Sequence, residues 1–431
     1  MAIGRKANLR LDTAERSQVR FEQSSLDELL SEDHLARQVW AYVEGLDLSV
    51  LYDRVRTTTT SSGRAAIDPA VLMSLWLYAT VEGIGSARLL DRKCRSDAAY
   101  RWLAGGVSLN YHTLSDFRTA AGPLLDRLLS SSMASLIEAG IVDVGVLAVD
   151  GVRVHASANR KTFRRAGRLE ELHRTAEQTV ARLRAALEED PGSASLRQRA
   201  RRLAAAEDRA RRLEKARQAQ AEIEGKRAKE AREQRRKEGR AGQKEARAST
   251  SDPEARVMKM GDGSYRPAYN IQFKTTVDGQ HVVGVSVTNR GSDRGLLGPA
   301  VAEIAGRYDK KPARVLADGG YDSKADIETL HHDGIVLFCP LQKPRKGGRD
   351  PALPRDDDKP AVQAWRQRMA TPLALAIYRK RFATERPHAH MRNHGLRQLC
   401  VRGIEKVKAV ALWHVHAFNF LQIRRLNSQG A

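Results

Sequence analysis

The sequence predicts an α/β fold: a mixed sheet flanked by helices, with an all-helical region ahead of it and a helical hairpin arm inserted into it. Three observations predict it. Residues 25–140 repeat apolar side chains at spacings of three and four, the helix period. From about residue 141 short apolar runs alternate with helical patterns, the order of a sheet covered by helices. Residues 160–248 interrupt that order with a long charge-rich stretch carrying its own apolar seam.

In the first region Leu26, Leu29 and Leu30, then Leu35, Val39, Val43 and Leu46, mark short amphipathic helices. Asp68-Pro69 opens the next helix, with Asp as cap and Pro at the first helical position. The run Val71–Val81 is apolar on most faces and belongs at the centre of this region, with Gly83 and Gly85 ending it. After Asn110-Tyr111-His112, Thr113 is the expected cap of a helix starting near Leu114.

The inserted stretch carries Leu169, Leu172, Ala176, Val180, Leu183 and Leu187, a coiled-coil seam. Asp190-Pro191-Gly192 breaks it, and Leu196, Leu203, Ala206, Ala210 and Leu213 resume it. Two antiparallel helices are expected, followed from Gly225 to Arg247 by an exposed or partly disordered strap.

The remainder reads as strands at Val144–Val154, Tyr269–Val277 and His281–Thr288, with Asp278-Gly279 as a hairpin turn. A helix over about Arg294–Arg307, a strand at Arg314–Leu316, a helix over Lys324–His332 and a strand at Ile335–Phe338 follow. A polar, Pro-rich loop at 340–361 then gives way to helix. The chain divides into a flexible N-terminus (1–24), a helical domain (25–140), a first strand region (141–159), the arm and strap (160–248) and the rest of the sheet domain (249–425).

A formal net charge of +22 points to a polyanionic partner. No run approaches the ~20 apolar residues of a membrane span, and the first residues lack the apolar stretch of a secretory signal. Cys94, Cys339 and Cys400 make no Cys-x-x-Cys pair, which suits packing in a reducing interior.

Three runs carry the candidate chemistry. Asp150 is read as ending the apolar strand Leu147-Ala148-Val149, and Asp318 as ending Val315-Leu316-Ala317; each is followed by Gly. One such Asp is more often a strand-end cap than a ligand. Two of them brought side by side would repel, and a cation between them is expected; oxygen donors alone select Mg2+ or Mn2+ over zinc. Further on, Ala374–His394 reads as helix, with Tyr378, Arg381 and Glu385 on one face and Arg392 two turns along. A carboxylate beside a phenol and two cations suits a metal-bound phosphodiester, although a solvated salt-bridged face is the commoner outcome for such a stripe.

Together these motifs resemble those of bacterial insertion-sequence transposases of the Asp-Asp-Glu class, which have a ribonuclease H-like catalytic domain. The resemblance covers roughly residues 25–425. It rests on Ala148-Val149-Asp150-Gly151, on Leu316-Ala317-Asp318-Gly319-Gly320-Tyr321-Asp322-Ser323, and on a Tyr-Arg-Glu-Lys signature met by Tyr378, Arg381 and Glu385. The signature's lysine position holds Arg392, and Arg386-Pro387-His388 stands where such proteins more often carry Pro-Val-Phe. The helical N-terminal domain, with Asp68-Pro69 and Asn110 to Arg118, and the segment Ser251–Arg256 also match.

The resemblance implies two divalent ions, Mg2+ or Mn2+, held by Asp150, Asp318 and Glu385. It implies phosphate contacts from Tyr378, Arg381 and Arg392. The reaction implied is cleavage of element ends and strand transfer into target DNA. The partners implied are double-stranded DNA, both terminal inverted repeats and target, and a second copy of the chain; the place is the bacterial cytoplasm, at the nucleoid. Phosphodiester chemistry carries no sequence information, so end recognition is expected from residues 25–140. Ser115 and Arg118 near a capped helix start, and the basic stretch Arg88, Arg92, Lys93 and Arg95, are the candidates. Two rivals stand beside this reading: a nuclease of the same fold that cuts without joining, and a DNA-binding regulator with a decayed site.

Overall fold

A computed structural model of the chain describes residues 25–55, 65–189, 196–238, 245–342 and 349–429. The N-terminal segment 1–24, the turn Asp190-Pro191-Gly192, part of the strap and part of the loop at 340–361 lie outside the described residues.

The helical region comprises α1 (Leu35–Glu44), α2 (Ser49–Tyr52), α3 (Pro69–Val81), α4 (Ala87–Ser96), α5 (Ala98–Ala104), α6 (Tyr111–Ala120) and α7 (Gly122–Glu138). Asp68 caps α3 by accepting from the Ala70 N–H, and Pro69 takes the first helical position, as the sequence predicts. Every residue of α3 is buried. The expected Thr113 cap is corrected: Asn110 Oδ1 accepts from the Thr113 N–H at 2.9 Å, and α6 starts at Tyr111. Asn in extended backbone can reach the third N–H ahead, so the helix gains a turn.

The sheet begins with β1 (Val146–His155) and is left by β2 (Phe163–Arg164) into the arm helices α8 (Ala166–Glu189) and α9 (Leu196–Glu238). The two helices pack along each other, with Leu169, Ala216, Ala219 and Ala248 as a small core at their base. The strap expected from Gly225 instead starts as helix, because α9 continues to Glu238. Its Ala, Lys, Arg and Glu are strong helix formers that outweigh one glycine. The chain returns through β3 (Ala248–Ser249), which pairs antiparallel with β2 and closes the arm at its root.

β4 (Arg256–Lys259), β5 (Tyr265–Thr276), β6 (Val282–Thr288), α10 (Leu297–Tyr308), β7 (Arg314–Ala317), α11 (Lys324–His332) and β8 (Val336–Phe338) complete the sheet. The long β5 pairs antiparallel with β4, β6 and β1, while β1, β7 and β8 run parallel. The hairpin between β5 and β6 turns at Asp278-Gly279, where Gly279 takes φ 73°. The short strands β2, β3 and β4 are not legible in the sequence reading.

One helix was expected over Ala374–His394, and the structure corrects it. After α12 (Pro360–Met369) come α13 (Pro372–Arg379), a 3₁₀ turn over Lys380–Thr384 and α14 (Glu385–Asn393). Pro387 has no N–H to give the Ala383 carbonyl, so a continuous α-helix cannot pass; the same proline is tolerated in the first turn of a new helix.

The last helix, α15 (Ile404–Gln429), packs on α3, α6 and α7 on one side and on β5 and β6 on the other. One continuous core therefore runs from Ala36 to Phe420. Asn419 on α15 accepts from the Val282 N–H at 3.0 Å and donates to its carbonyl at 2.8 Å, which satisfies the open edge of β6 and fixes the helical region against the sheet. Trp413 Nε1 donates to the Arg118 carbonyl at 3.0 Å, and Trp76 Nε1 to the Leu114 carbonyl at 2.8 Å. Among the described residues no helix is long and apolar enough to cross a membrane.

Candidate active site

Register brings the two aspartates together. The last parallel pair between β1 and β7 is Val149 with Ala317, so Asp150 and Asp318 each occupy the next position. Adjacent strands lie about 4.8 Å apart. Asp150 lies inside its strand, as the predicted run Val144–Val154 has it, and does not end the apolar stretch Leu147–Val149 at the sheet's rim. β1 runs on to His155 because β5, at twelve residues, keeps pairing where the four-residue β7 has stopped. Asp318 leaves β7 and caps a 3₁₀ turn, Gly319–Tyr321, its Oδ1 accepting from the Gly320 N–H at 2.7 Å.

The Asp150 carboxylate is surrounded. Oδ1 accepts from the Gly151 N–H at 2.8 Å, and Oδ2 from Arg381 Nη1 at 2.7 Å and Thr384 Oγ1 at 3.4 Å. His388 Nδ1 stands 3.8 Å from Oδ2. Burial raises the pKa of Asp150 above the ordinary carboxylate range, and Arg381 only partly offsets this. Asp318 is also raised, first by burial and further by the charges of Asp150 and Asp293. Burial, helped by Arg381 and Arg392, pushes the His388 pKa down to about 4, so the imidazole is neutral at pH 7.

Asp293, which the sequence reading missed, belongs to this cluster. Its Oδ1 accepts from Asn270 Nδ2 at 2.6 Å and Gln272 Nε2 at 2.8 Å, and Arg153 Nη2 lies 3.5 Å from its Oδ2. Asn270, Gln272 and Arg153 project from one face of β5 and β1, over Gly151. A Cβ on Gly151 would meet Gln272 Nε2 inside contact distance, Asn270 Oδ1 at 2.7 Å and Asp293 Oδ1 at 2.9 Å, so any larger residue must displace this hydrogen-bonded trio. The alternation Asn270-x-Gln272 within an apolar strand was the available signal.

The third expected carboxylate stands apart. Glu385 is the first residue of α14, directly after Thr384, and is exposed; its carboxylate makes no hydrogen bond or ion pair with any described residue. Among the described residues no three His, Cys, Asp or Glu side chains meet as a metal site. Arg381 holds the nearer position and also lies 5.9 Å from the Tyr378 ring centroid. Arg392 is exposed and lines the cleft together with Asp293, Asp318 and His388.

In the helical region the candidates divide. Arg88, Arg92 and Ser115 are exposed, with Arg88 over the Tyr111 ring. Lys93 and Arg95 pair with Asp97 and Asp91 at 2.9 and 2.7 Å. Arg118 must be withdrawn as a DNA contact. It is buried, stacks 4.9 Å from the Trp76 ring centroid and donates to the Gly85 carbonyl. The helix face that carries it turns inward toward α3 and α15.

Comparison with known families follows the same division. The family model described as Transposase domain (DUF772) matches residues 24–120, and the one described as Transposase DDE domain matches residues 234–420. The second match contains Asp318 and Glu385, while Asp150 falls between the two. No curated protein and no solved structure matches the chain. The fold is α/β and ribonuclease H-like, and the chain belongs to the insertion-sequence transposases of the Asp-Asp-Glu class. It is a DNA transposase, and its family uses divalent metal ions.

Proposed function

We propose that this transposase cuts DNA at the ends of its element and joins those ends to target DNA, with Asp150, Asp318 and Glu385 as the carboxylates that hold two divalent ions, Mg2+ or Mn2+. The observation that carries this is the register of β1 and β7, which sets two half-buried carboxylates side by side with a third, Asp293, close by. Two guanidiniums answer these three carboxylates, Arg381 at Asp150 and Arg153 at Asp293, which leaves one negative charge in surplus. An oxygen-only donor set with surplus negative charge fits a hard divalent cation. Glu385, exposed and one residue beyond Thr384, would complete the set by turning its side chain inward.

When bound, the ions supply Lewis-acid charge for in-line displacement at a phosphodiester. The chain's own residues do the rest. Arg381 balances the carboxylates and is within reach of a phosphate oxygen, and Arg392 grips the substrate from the cleft wall. Neutral His388 packs against Phe273 at 5.3 Å between ring centroids and excludes water behind Asp150. The helical region 25–140 recognises element ends through Arg88, Arg92 and Ser115. Two ends are joined in one event, so a homodimer on DNA is part of this reading. The reaction belongs in the bacterial cytoplasm, at the nucleoid.

The test uses pre-cleaved ends, target DNA and Mg2+ with the full chain. Joined product is expected from the wild type and absent from Asp318→Asn. Cleavage of intact ends without any joining of pre-cleaved ones would instead define a nuclease.

A further inference from the structure

A second groove opens beside the catalytic cleft, between the root of the arm and the edge of the sheet, with a volume of about 820 Å³. The arm's root contributes Arg160, Phe163, Lys226 and Arg247; β4 contributes Arg256 and the loop after β6 contributes Arg290 and Gly291. Cations outnumber the acidic lining residues, Glu222 and Glu245, and Glu245 is already paired with Arg165 at 2.8 Å. Arg160, Lys226 and Arg247 are exposed and pair with no carboxylate among the described residues. Arg256 and Arg290 donate to backbone carbonyls of Pro253, Ala255 and Arg294, which fixes their positions, and neither makes an ion pair with a carboxylate among the described residues.

The groove adjoins the catalytic cleft at one side chain. Arg153 Nη2 donates to the Gly291 carbonyl at 3.1 Å, on the groove side, and lies 3.5 Å from Asp293 Oδ2, on the cleft side. Arg153 thus forms the sill between the two. Like charges held on one concave surface repel each other, and a polyanion laid along it removes that repulsion and releases its own counterions. The lining is dominated by cations, and the charge of a duplex lies on its phosphates, so the contact is with the backbone.

We propose that this groove seats the DNA duplex flanking the scissile phosphate, with Arg160, Lys226, Arg247 and Arg290 on its backbone. The flank passes over Arg153 on its way out of the cleft. This is a sequence-independent clamp, separate from end recognition by the helical region. It rests on the cleavage reading above for its orientation, but its test does not depend on catalysis.

The experiment measures binding of the full chain to duplexes by fluorescence anisotropy over a range of salt concentrations, on an element-end sequence and on a random one. The variant is Arg160→Gln with Lys226→Gln and Arg247→Gln. All three side chains are exposed, and a thermal melt checks the fold. The triple variant is expected to lose affinity more than tenfold on both duplexes. Its log-affinity against log-salt slope should fall by about three, about one for each lost contact. Arg247→Gln alone should take about one off the slope, and Arg247→Lys should restore it. An unchanged slope in the triple variant overturns the proposal, as does a loss confined to the element-end duplex. Absence of cleavage by the wild type would count against the cleavage reading and leave the slope to decide the groove.

Discussion

Arg381 Nη1 donates to Asp150 Oδ2 at 2.7 Å, across 231 residues of chain. The contact joins the 3₁₀ turn after α13 to the middle of β1, and it puts a fixed positive charge beside half-buried carboxylates that repel each other. Removing it should cost catalysis more than binding. Arg381→Ala is expected to slow single-turnover cleavage by about 10²-fold or more, the scale of losing one preorganised electrostatic donor. Arg381→Lys, with a point charge in place of a fork, should recover only part of that rate. An Arg381→Ala enzyme cutting at the wild-type rate would remove Arg381 from the site.

Gly151 is required by its neighbours rather than by its own backbone angles. Gly151→Ala drives a methyl into Gln272, Asn270 and Asp293, side chains tied to each other by hydrogen bonds. Overpacking of this kind costs about 1–3 kcal/mol. A thermal melt should show the loss, and an unchanged midpoint would mean that the Asn270–Asp293 network yields freely.

Lys274 is fully buried, donating to Glu303 Oε2 at 2.6 Å and Ser286 Oγ at 2.8 Å. Burial lowers its pKa, with Glu303 opposing that shift. Glu303→Ala should destabilise by about 3–5 kcal/mol, since it strands a buried charge, whereas Lys274→Met with Glu303→Leu should come close to neutral. Denaturant unfolding distinguishes these, and equal losses in both variants would contradict the argument.

Asp126 on α7 pairs with Lys408 on α15 at 2.6 Å and with Arg307 on α10 at 2.9 Å. Burial alone would raise its pKa, but the hydrogen bond from Lys408 and the ion pair with Arg307 outweigh burial and hold it below the ordinary value of 3.8. A depressed carboxylate stabilises the fold above its unfolded pKa and loses that contribution as pH falls through the folded one. Asp126→Asn should therefore cost about 1–3 kcal/mol at pH 7, and the gap to wild type should narrow as the pH drops below about 4. A gap independent of pH would show that shape, not charge, holds α7, α10 and α15 together.

What the sequence discloses is local. Asp68-Pro69 opens α3, Asp278-Gly279 turns the β5–β6 hairpin and Lys324–His332 is helix, because each is decided by a few neighbouring residues. Asp150 and Asp318 stand out because a carboxylate in an apolar run before glycine is conspicuous on its own. The rest depends on partners far along the chain. Arg118 looks like any surface arginine until Trp76 and Trp413 fix which face of α6 turns inward. Asp293 lies in a polar loop, and only the pairing of β5 with β1 brings Asn270, Gln272 and Arg153 to it. The break at Lys380–Thr384 combines a local proline with the burial of Ala383 and Thr384 against the sheet.

Cleavage of DNA carrying the element's ends, by the purified full chain with Mg2+, tests the central claim most directly. Wild type should cut at the ends and stop when the metal is chelated. Asp150→Asn, Asp318→Asn and Glu385→Gln should each abolish cutting while binding the same DNA. Full activity in Glu385→Gln, or cutting that persists without a divalent ion, would contradict the account.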